Sequence, residues 1–326
     1  MLDLYLAEKN NDINEERARI TTNFYKRFVS ALTKNKKLNT YTKDDFISVL
    51  IEMNLMTNGS YLQAKSLVLD YLTWLEGRGE ISASQIKEFS KISFDDIDLT
   101  ALYSRHYFKS FNELWISIES AIQSYLQRQD YTEEFDNFRC AAYLSWYGFS
   151  PAEIAEVKKD DLDYETAIVY KGNGEKRQAI KVCDKCMALL WKHKKAEGYI
   201  SIKSGHYNGN EMFRYKYVDS EYLMRSYKKR HFLTTNVNSL SDVINKGSLN
   251  APKVFTFKRI KLSGMYYCAY LEETENGKLL SNDYDRLAKL FMPEKVGELT
   301  NSDKSILRYK RLAEYEKYKQ IFYAEI

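Results

Sequence analysis

Apolar residues recur at helical spacing through the first hundred residues of the chain. Val68, Tyr71, Leu72 and Leu75 occupy the i, i+3, i+4 and i+7 positions of one helix face, and this pattern ends near Gly77. Three further segments show comparable spacing or helix-forming composition: Ile20–Ala31, Phe46–Met53 and Ser84–Phe89. The pattern predicts a small bundle of short helices, the second of them capped by Thr42.

Helix-start signals resume after this bundle. Ser110 stands three residues before Glu113, and Ser150 stands three residues before Glu153, which is the spacing of a capping box. The apolar positions that follow each signal again share one helix face. Because a chain of 326 residues is long for a single core, we predict two domains, residues 1–103 and residues 104–326.

The clearest strand signal lies in the second domain. Ala167–Tyr170 and Gln178–Val182 are short β-prone runs, and the loop between them contains two glycines and an asparagine. This pattern predicts a β-hairpin with a basic tip. A helix at Cys186–Glu197 is expected after the hairpin, followed by an irregular basic stretch that reaches Pro252. Three further helices are predicted beyond it: Arg259–Glu273, Asp283–Phe291 and Ser302–Tyr323.

Composition agrees with a mainly helical protein. The chain has only three prolines and thirteen glycines, and 44% of its residues are apolar. Together with the hairpin, this predicts a mainly α fold with a small β-hairpin or sheet, an α+β class. The longest apolar runs are far shorter than the roughly 18 residues of a membrane span, so we expect a cytoplasmic protein without a membrane partner.

The net charge of +4 is small, but the positive charge is concentrated. Between Ser201 and Leu262 there are 12 basic and 4 acidic residues. Tyrosines are interleaved with them, among them those at positions 215, 217, 222 and 227. Basic groups that replace counterions, together with aromatic rings, are typical of a nucleic-acid surface, although a solvated rim has the same composition.

Cysteine usage gives no sign of a cofactor or metal. Four cysteines in so long a chain do not make a disulfide framework. Cys183 and Cys186 form a lone C-x-x-C with His193 seven residues later, but a zinc site needs three or four convergent ligands at matching spacing. We therefore predict no metal, no cofactor and no small-molecule substrate.

Three motifs lie between Tyr143 and Val182: Tyr-Gly-Phe-Ser-Pro-Ala-Glu-Ile, then Val-Lys-Lys-Asp-Asp-Leu-Asp at residues 157–163, and Lys-Gly-Asn-Gly-Glu-Lys-Arg at residues 171–177. In these motifs the chain resembles the tyrosine recombinases, the family of the phage integrases. The corresponding patterns of that family are Gly-Leu-Arg-x-x-Glu-Leu, Leu-x-x-x-Asp-Ile and Gly-Lys-Gly-x-Lys-x-Arg. The resemblance implies a helical core-binding-like domain, then a domain like the family's catalytic one, and double-stranded DNA as the partner.

The family's chemistry uses a tyrosine nucleophile, two arginines and a histidine on the phosphate, and a hairpin lysine as proton donor. The positions that match this active site hold Ser150, Lys171, Lys258, Lys261 and Tyr309. Serine replaces the first arginine, and lysines replace the histidine and the second arginine. Tyr309 is the best positioned nucleophile; Tyr315 and Tyr318 are also candidates.

These replacements predict that catalysis has been lost. Ser150 cannot carry charge, and we interpret it as a helix cap. A second alignment of the His-x-x-Arg box uses Thr256 and Arg259, which keeps an arginine but still lacks the histidine. Because losing one preorganised donor typically costs about 10²–10³ in rate, efficient strand cleavage is not expected.

The resemblance therefore implies a sequence-specific DNA-binding protein that is associated with the bacterial nucleoid. It extends to the lysogeny repressors of SPβ-type prophages, which have this fold without working as integrases, so a prophage transcriptional repressor is the expected role. The residues expected to contact DNA are Lys171, Lys176, Arg177, Arg225, Lys228, Lys229, Arg230, Lys258, Arg259 and Lys261.

Two other functions stay open at this point. One is a divergent but active recombinase that uses Tyr309, Lys171, Lys258 and either Arg259 or Lys261. The other is an accessory protein that uses the fold to contact a recombinase or polymerase. The sequence also leaves open whether the terminal helix docks in cis or in trans, and self-association through this helix is a further expectation.

Overall fold

The chain folds into two compact units, Met1–Tyr103 and Ser104–Ile326. The structure, a computed structural model, describes residues 1–9, 15–33, 37–53, 55, 57–126, 133–172, 174, 177–204, 210–247, 253–292 and 300–324. These residues are mainly helical with small antiparallel sheets, which confirms the predicted fold class. None of the helices described combines the length and apolar character that crossing a membrane requires.

The first unit is a helical bundle. Its helices are α1 (Leu2–Lys9), α2 (Glu15–Thr33), α3 (Lys43–Glu52), α4 (Asn58–Glu76) and α5 (Ala83–Ser90), and α6 (Thr100–His106) runs across the division. The expected cap of α3 is confirmed, because the side chain of Thr42 accepts a hydrogen bond from the backbone N–H of Asp45. Helix α1 was not predicted. It is held by Tyr5, which is fully buried and donates its hydroxyl to Tyr25 at 2.8 Å.

The second unit is built around one buried helix. Its helices are α7 (Phe111–Leu126), α8 (Asp136–Trp146), α9 (Pro151–Glu156), α10 (Asp184–Lys195), α11 (Thr234–Gly247), α12 (Phe257–Asn276), α13 (Ser281–Phe291) and α14 (Asn301–Tyr323). All eleven residues of α8 are buried. Helix α12 packs directly on α8, because Gly264 lies against the carbonyl of Trp146 and has no side chain to hold the helices apart.

Even the charged residues of α8 are enclosed. Arg139 is 1% exposed and donates to both carboxylate oxygens of Glu119, at 2.8 and 2.9 Å, and to Asp136 at 2.9 Å. A buried guanidinium is tolerated only with such partners. The ion cluster joins α7 to α8 and thereby helps to position the centre of the unit.

Two small sheets complete the second unit. Strands β1 (Leu162–Asp163), β2 (Ile168–Lys171) and β3 (Gln178–Lys181) form an antiparallel sheet in that order, which confirms the predicted hairpin. The expectation of an irregular stretch from the end of α10 to Pro252 was wrong. This stretch contains a second hairpin, formed by β4 (Gly198–Ser204) and β5 (Asn210–Lys216), and helix α11.

Both missed elements left some signal in the sequence. Val237, Leu240 and Ile244 have the i, i+3, i+7 spacing of a helix face, and all three contribute to the core of the unit. In the hairpin, Tyr199 pairs with Tyr215 across the strands, and their rings stack at 5.2 Å. Charged and polar residues between these positions masked the alternation.

Candidate nucleic-acid interface

A cavity of about 440 Å³ opens at the first turn of α12, and we call it the α12 cavity. It brings together three of the positions that match the family's active site, Ser150, Lys258 and Lys261. Its other lining residues are Pro151, Asn238, Ser241, Thr256, Phe257, Leu262, Met292 and Arg311. Serine, threonine and asparagine side chains supply hydrogen-bonding groups, and the three basic residues supply positive charge.

Ser150 is the cap of α9, as the sequence indicated. Its hydroxyl accepts from the backbone N–H of Glu153 at 3.3 Å, and Glu153 accepts from the backbone N–H of Ser150 at 2.6 Å. Pro151 occupies the first turn of the helix. The capping box explains this sequence locally, and Ser150 contributes no charge to the cavity.

The basic side chains of the α12 cavity come mainly from the start of α12. Thr256 caps this helix by accepting from the backbone N–H of Arg259 at 3.3 Å. Lys258 is exposed and Lys261 is half-buried. A helix N-terminus carries partial positive charge, so cations in the first turns of α12 are unfavourable by about 0.3–1 kcal/mol each. The same field attracts an anion.

Lys171, the hairpin lysine, is enclosed by the protein. Its side chain is 4% exposed and its Nζ donates to the carbonyls of Gly148 at 2.9 Å and Leu290 at 3.2 Å. The carboxylate of Glu153 lies 3.1 Å from the same nitrogen. The sequence-based expectation of a phosphate contact does not fit this placement, because the ammonium is shielded and already hydrogen-bonded.

The side chain of Arg259 contacts Tyr107. Its Nη1 donates to the hydroxyl of Tyr107, and the guanidinium lies 5.1 Å from the centre of that ring. Thr256, the other residue of the alternative alignment, is the helix cap. In the first alignment, both Lys258 and Lys261 line the α12 cavity. In the alternative alignment Thr256 lines the cavity but Arg259 does not.

Arg225 requires a correction. It was expected to contact DNA, but it is only 2% exposed. Its Nη2 donates to the carbonyls of Ala196 at 2.7 Å, His193 at 3.2 Å and Lys194 at 3.3 Å. These carbonyls lie at the C-terminal end of α10 and at its C-cap, where a helix satisfies its last carbonyls incompletely. Arg225 therefore stabilises the end of α10 and is withdrawn from the proposed DNA-binding residues.

We expect Arg225→Met to lower the free energy of unfolding by about 1.5–3 kcal/mol, the contribution of hydrogen bonds made by a charged group. The salt dependence of DNA binding should not change, because no phosphate contact is lost. Thermal denaturation and fluorescence-anisotropy titrations at several salt concentrations measure the two effects. Lys229→Gln, at an exposed position, is the matched control, and it should leave stability unchanged.

The remaining predicted residues are at the surface or outside the described part of the chain. Lys228, Lys229 and Arg230 are exposed. Arg177 is also exposed and pairs with Asp161 at 3.0 Å. Two residues lie outside what the structure describes: Lys176, and the side chain of Tyr309. The other nucleophile candidates are buried in the packing of α14: Tyr315 at 1% exposure and Tyr318 at 0%.

Sequence reasoning missed Arg311. This residue of α14 lines the α12 cavity, and it is 8% exposed. It belongs to no motif of the resemblance, and it is separated from Lys261 by about fifty positions. Only the docking of α14 brings it to the cavity, so no local pattern could have identified it.

Two residues of the lone C-x-x-C segment, Cys186 and His193, lie on the buried side of α10. Cys186 is fully buried, and His193 places its Nε2 3.2 Å from the amide oxygen of Asn137. Within the residues described, no group of three or more His, Cys, Asp or Glu side chains could hold a metal ion. The C-x-x-C and His193 instead belong to the packing of α10.

His193 makes stability depend on pH. Burial, assisted by the charge of Arg225, lowers the pKa of His193 to about 3, against about 6.5 in an unfolded chain. The unfolded state therefore binds a proton that the folded state does not, and stability falls as pH drops from about 6.5 towards 3. Near pH 5 the expected loss is about 2 kcal/mol. Urea denaturation at neutral pH and near pH 5 measures this loss of unfolding free energy. The loss between the two pH values should be smaller for His193→Gln than for the control His231→Gln.

Comparison with known proteins identifies a family. Residues 130–315 match the model described as "MrpR, C-terminal catalytic domain", and this segment is more than half of the 326 residues. Among curated proteins, no match is found.

Several solved structures are similar over nearly the whole chain. XerA recombinase is 14% identical with a TM-score of 0.39, covering 98% of this chain and 97% of its own. A λ integrase dimer bound to a COC′ core site is 13% identical with a TM-score of 0.36, covering 94% and 93%. The integrase of mycobacterium phage Brujita is 11% identical with a TM-score of 0.35, covering 98% and 92%.

Proposed function

This chain belongs to the family of the MrpR C-terminal catalytic domain, and from that premise we propose that it binds double-stranded DNA sequence-specifically without cleaving it. The α12 cavity would receive a backbone phosphate. Base contacts elsewhere would select the sequence, since phosphate contacts set position rather than specificity.

One observation carries this proposal: the grouping of Lys258, Lys261 and Arg311 around the start of α12. An anion bound at this helix end would interact favourably both with the helix dipole and with the basic side chains. A phosphate would accept hydrogen bonds from the first backbone N–H groups of α12 and neutralise the lysines. Their cost to the free protein is then offset when DNA binds.

The same cavity argues against strand cleavage. Cleavage needs charge on the phosphoryl oxygens and a proton donor for the leaving oxygen. Ser150 supplies no charge, and Lys171 already donates to two carbonyls and pairs with Glu153. Each such loss typically lowers the rate by about 10²–10³, so the residues that remain suit holding a phosphate.

For the biological role we propose a prophage transcriptional repressor that maintains lysogeny. This role is supported by the resemblance of the motifs at residues 143–182 and by a cavity suited to binding rather than reaction. We propose that three exposed basic residues of the loop after β5 also contact the DNA backbone: Lys228, Lys229 and Arg230.

The test is selection of bound fragments from a genomic library with the purified protein, followed by a denaturing gel for covalent adducts. We expect discrete sites near promoters and no adduct. Failure to bind any DNA at moderate salt would refute the proposal and favour an accessory protein that contacts other proteins.

An active recombinase is the second candidate, because the matched family is described as a catalytic domain. In that case the hydroxyl of Tyr309 would attack the scissile phosphate and displace the leaving oxygen of the DNA strand, so that the tyrosine becomes covalently linked to the phosphate. An adduct at a single recombination-like site, lost in Tyr309→Phe, would establish this candidate and overturn the claim that cleavage has been lost.

A further inference from the structure

The surroundings of Arg311 leave one of its buried N–H groups unsatisfied by the residues that the structure describes. Its Nη1 donates to the carboxylate of Glu314, which also accepts from the hydroxyl of Tyr266 at 2.7 Å. Its Nε is buried and has no hydrogen-bond partner among the residues that the structure describes. Buried donors are normally satisfied, and a guanidinium has five of them in a fixed fork. This one also borders the α12 cavity.

We propose that Arg311 is a phosphate-binding residue, supplied by the C-terminal helix in place of the arginine that is absent at Ser150. This inference rests on the proposed function of the α12 cavity. A guanidinium binds phosphate through paired N–H groups, a geometry that the lysines of α12 cannot provide. The unpartnered Nε–H of Arg311 would then gain its acceptor when DNA binds.

The position of Arg311 makes the phosphate site depend on the docking of α14. Tyr318 anchors this helix by donating to the carbonyl of Phe108 at 2.7 Å, and Tyr315 donates to Glu273. If Arg311 contacts the phosphate, DNA binding and docking of α14 stabilise each other by the same free energy. The C-terminal helix is then part of the DNA-binding site rather than only a structural support.

The experiment compares Arg311→Met with Arg308→Met. Arg308 lies on the same helix, where it donates to both carboxylate oxygens of Asp285 and does not line the cavity. For Arg311→Met we expect about tenfold weaker binding to a DNA duplex selected by the wild type. The plot of log K against log salt should also be less steep by about 0.9, the value for one lost phosphate contact. Arg308→Met should keep the wild-type slope.

Glu314→Gln provides a test in the opposite direction. It removes the negative charge that competes with phosphate for Arg311 while keeping a side chain that can hydrogen-bond to Tyr266. We expect tighter DNA binding than the wild type at low salt. A purely structural ion pair between Arg311 and Glu314 would instead make both variants equally weak binders.

The outcomes separate the two proposals. If the wild type binds no DNA, the proposed function fails. If the wild type binds, and Arg311→Met keeps the wild-type slope while Lys258→Gln does not, only the role of Arg311 is overturned. Melting temperatures are measured for every variant. If Arg311→Met unfolds, Arg311→Lys decides: the proposal requires an unchanged slope with weaker binding, since charge is kept and the paired donors are lost.

Discussion

The double variant Lys258→Gln/Lys261→Gln is expected to bind DNA about 100-fold more weakly than the wild type. Each lysine that contacts a phosphate contributes about tenfold in affinity. The loss of both should make the plot of log K against log salt less steep by about 1.8. Anisotropy titrations of a selected duplex between low and physiological salt measure both quantities.

The stability of the same variant separates binding from folding. Because the two lysines oppose the dipole of α12, their replacement should leave the melting temperature unchanged or slightly raised. Lys278→Gln/Lys289→Gln is the matched control, since it removes equal charge at exposed positions that do not line the cavity. An equal loss of affinity in both double variants would mean that overall charge, not the α12 cavity, binds DNA.

The second large effect is expected for Gly264→Ala. A Cβ at this position would stand 1.9 Å from the carbonyl oxygen of Trp146, so α12 and α8 would have to move apart. Inserting an atom into such packing costs about 1–3 kcal/mol or more. The clash is with backbone, which cannot rotate away, so we expect at least about 3 kcal/mol and a melting temperature lower by roughly 6–12 °C.

DNA binding should fall together with stability in Gly264→Ala, because α12 carries the lysines of the cavity. Gly59→Ala is the control: a Cβ there meets nothing within 4 Å, and the glycine lies in the first turn of α4. This substitution should be neutral or stabilise by up to about 1 kcal/mol. A Gly264→Ala protein as stable as the wild type would show that the two helices are not in close contact.

Together with the behaviour of Arg311, these results would describe one site built from distant parts of the chain. The start of α12 provides two lysines, α14 provides an arginine, and the capped start of α9 closes one side. The close packing of α12 on α8 holds the first of these elements in place. DNA affinity should therefore respond to core packing as well as to charge.

The sequence by itself determined the features that depend on neighbouring residues. Thr42 with Asp45, and Ser150 with Glu153, are three residues apart, and a capping box needs nothing beyond that spacing and the helix that follows. The β2–β3 hairpin is equally local, since only residues 172–177, which include two glycines, separate its strands in the sequence. The predominance of helix and the candidate lysines of α12 could also be predicted.

The tertiary structure alone decided which charged groups face the cavity. Lys171 and Arg225 belong to basic segments, but Lys171 reaches a carbonyl 119 positions away and Arg225 reaches carbonyls about 30 positions away. Arg311 had no motif, yet the docking of α14 brings it to the cavity. The physical reason is that a long charged side chain hydrogen-bonds to the acceptors that lie near it in the folded protein. Which acceptors these are depends on packing between distant elements, and no local sequence pattern contains that information.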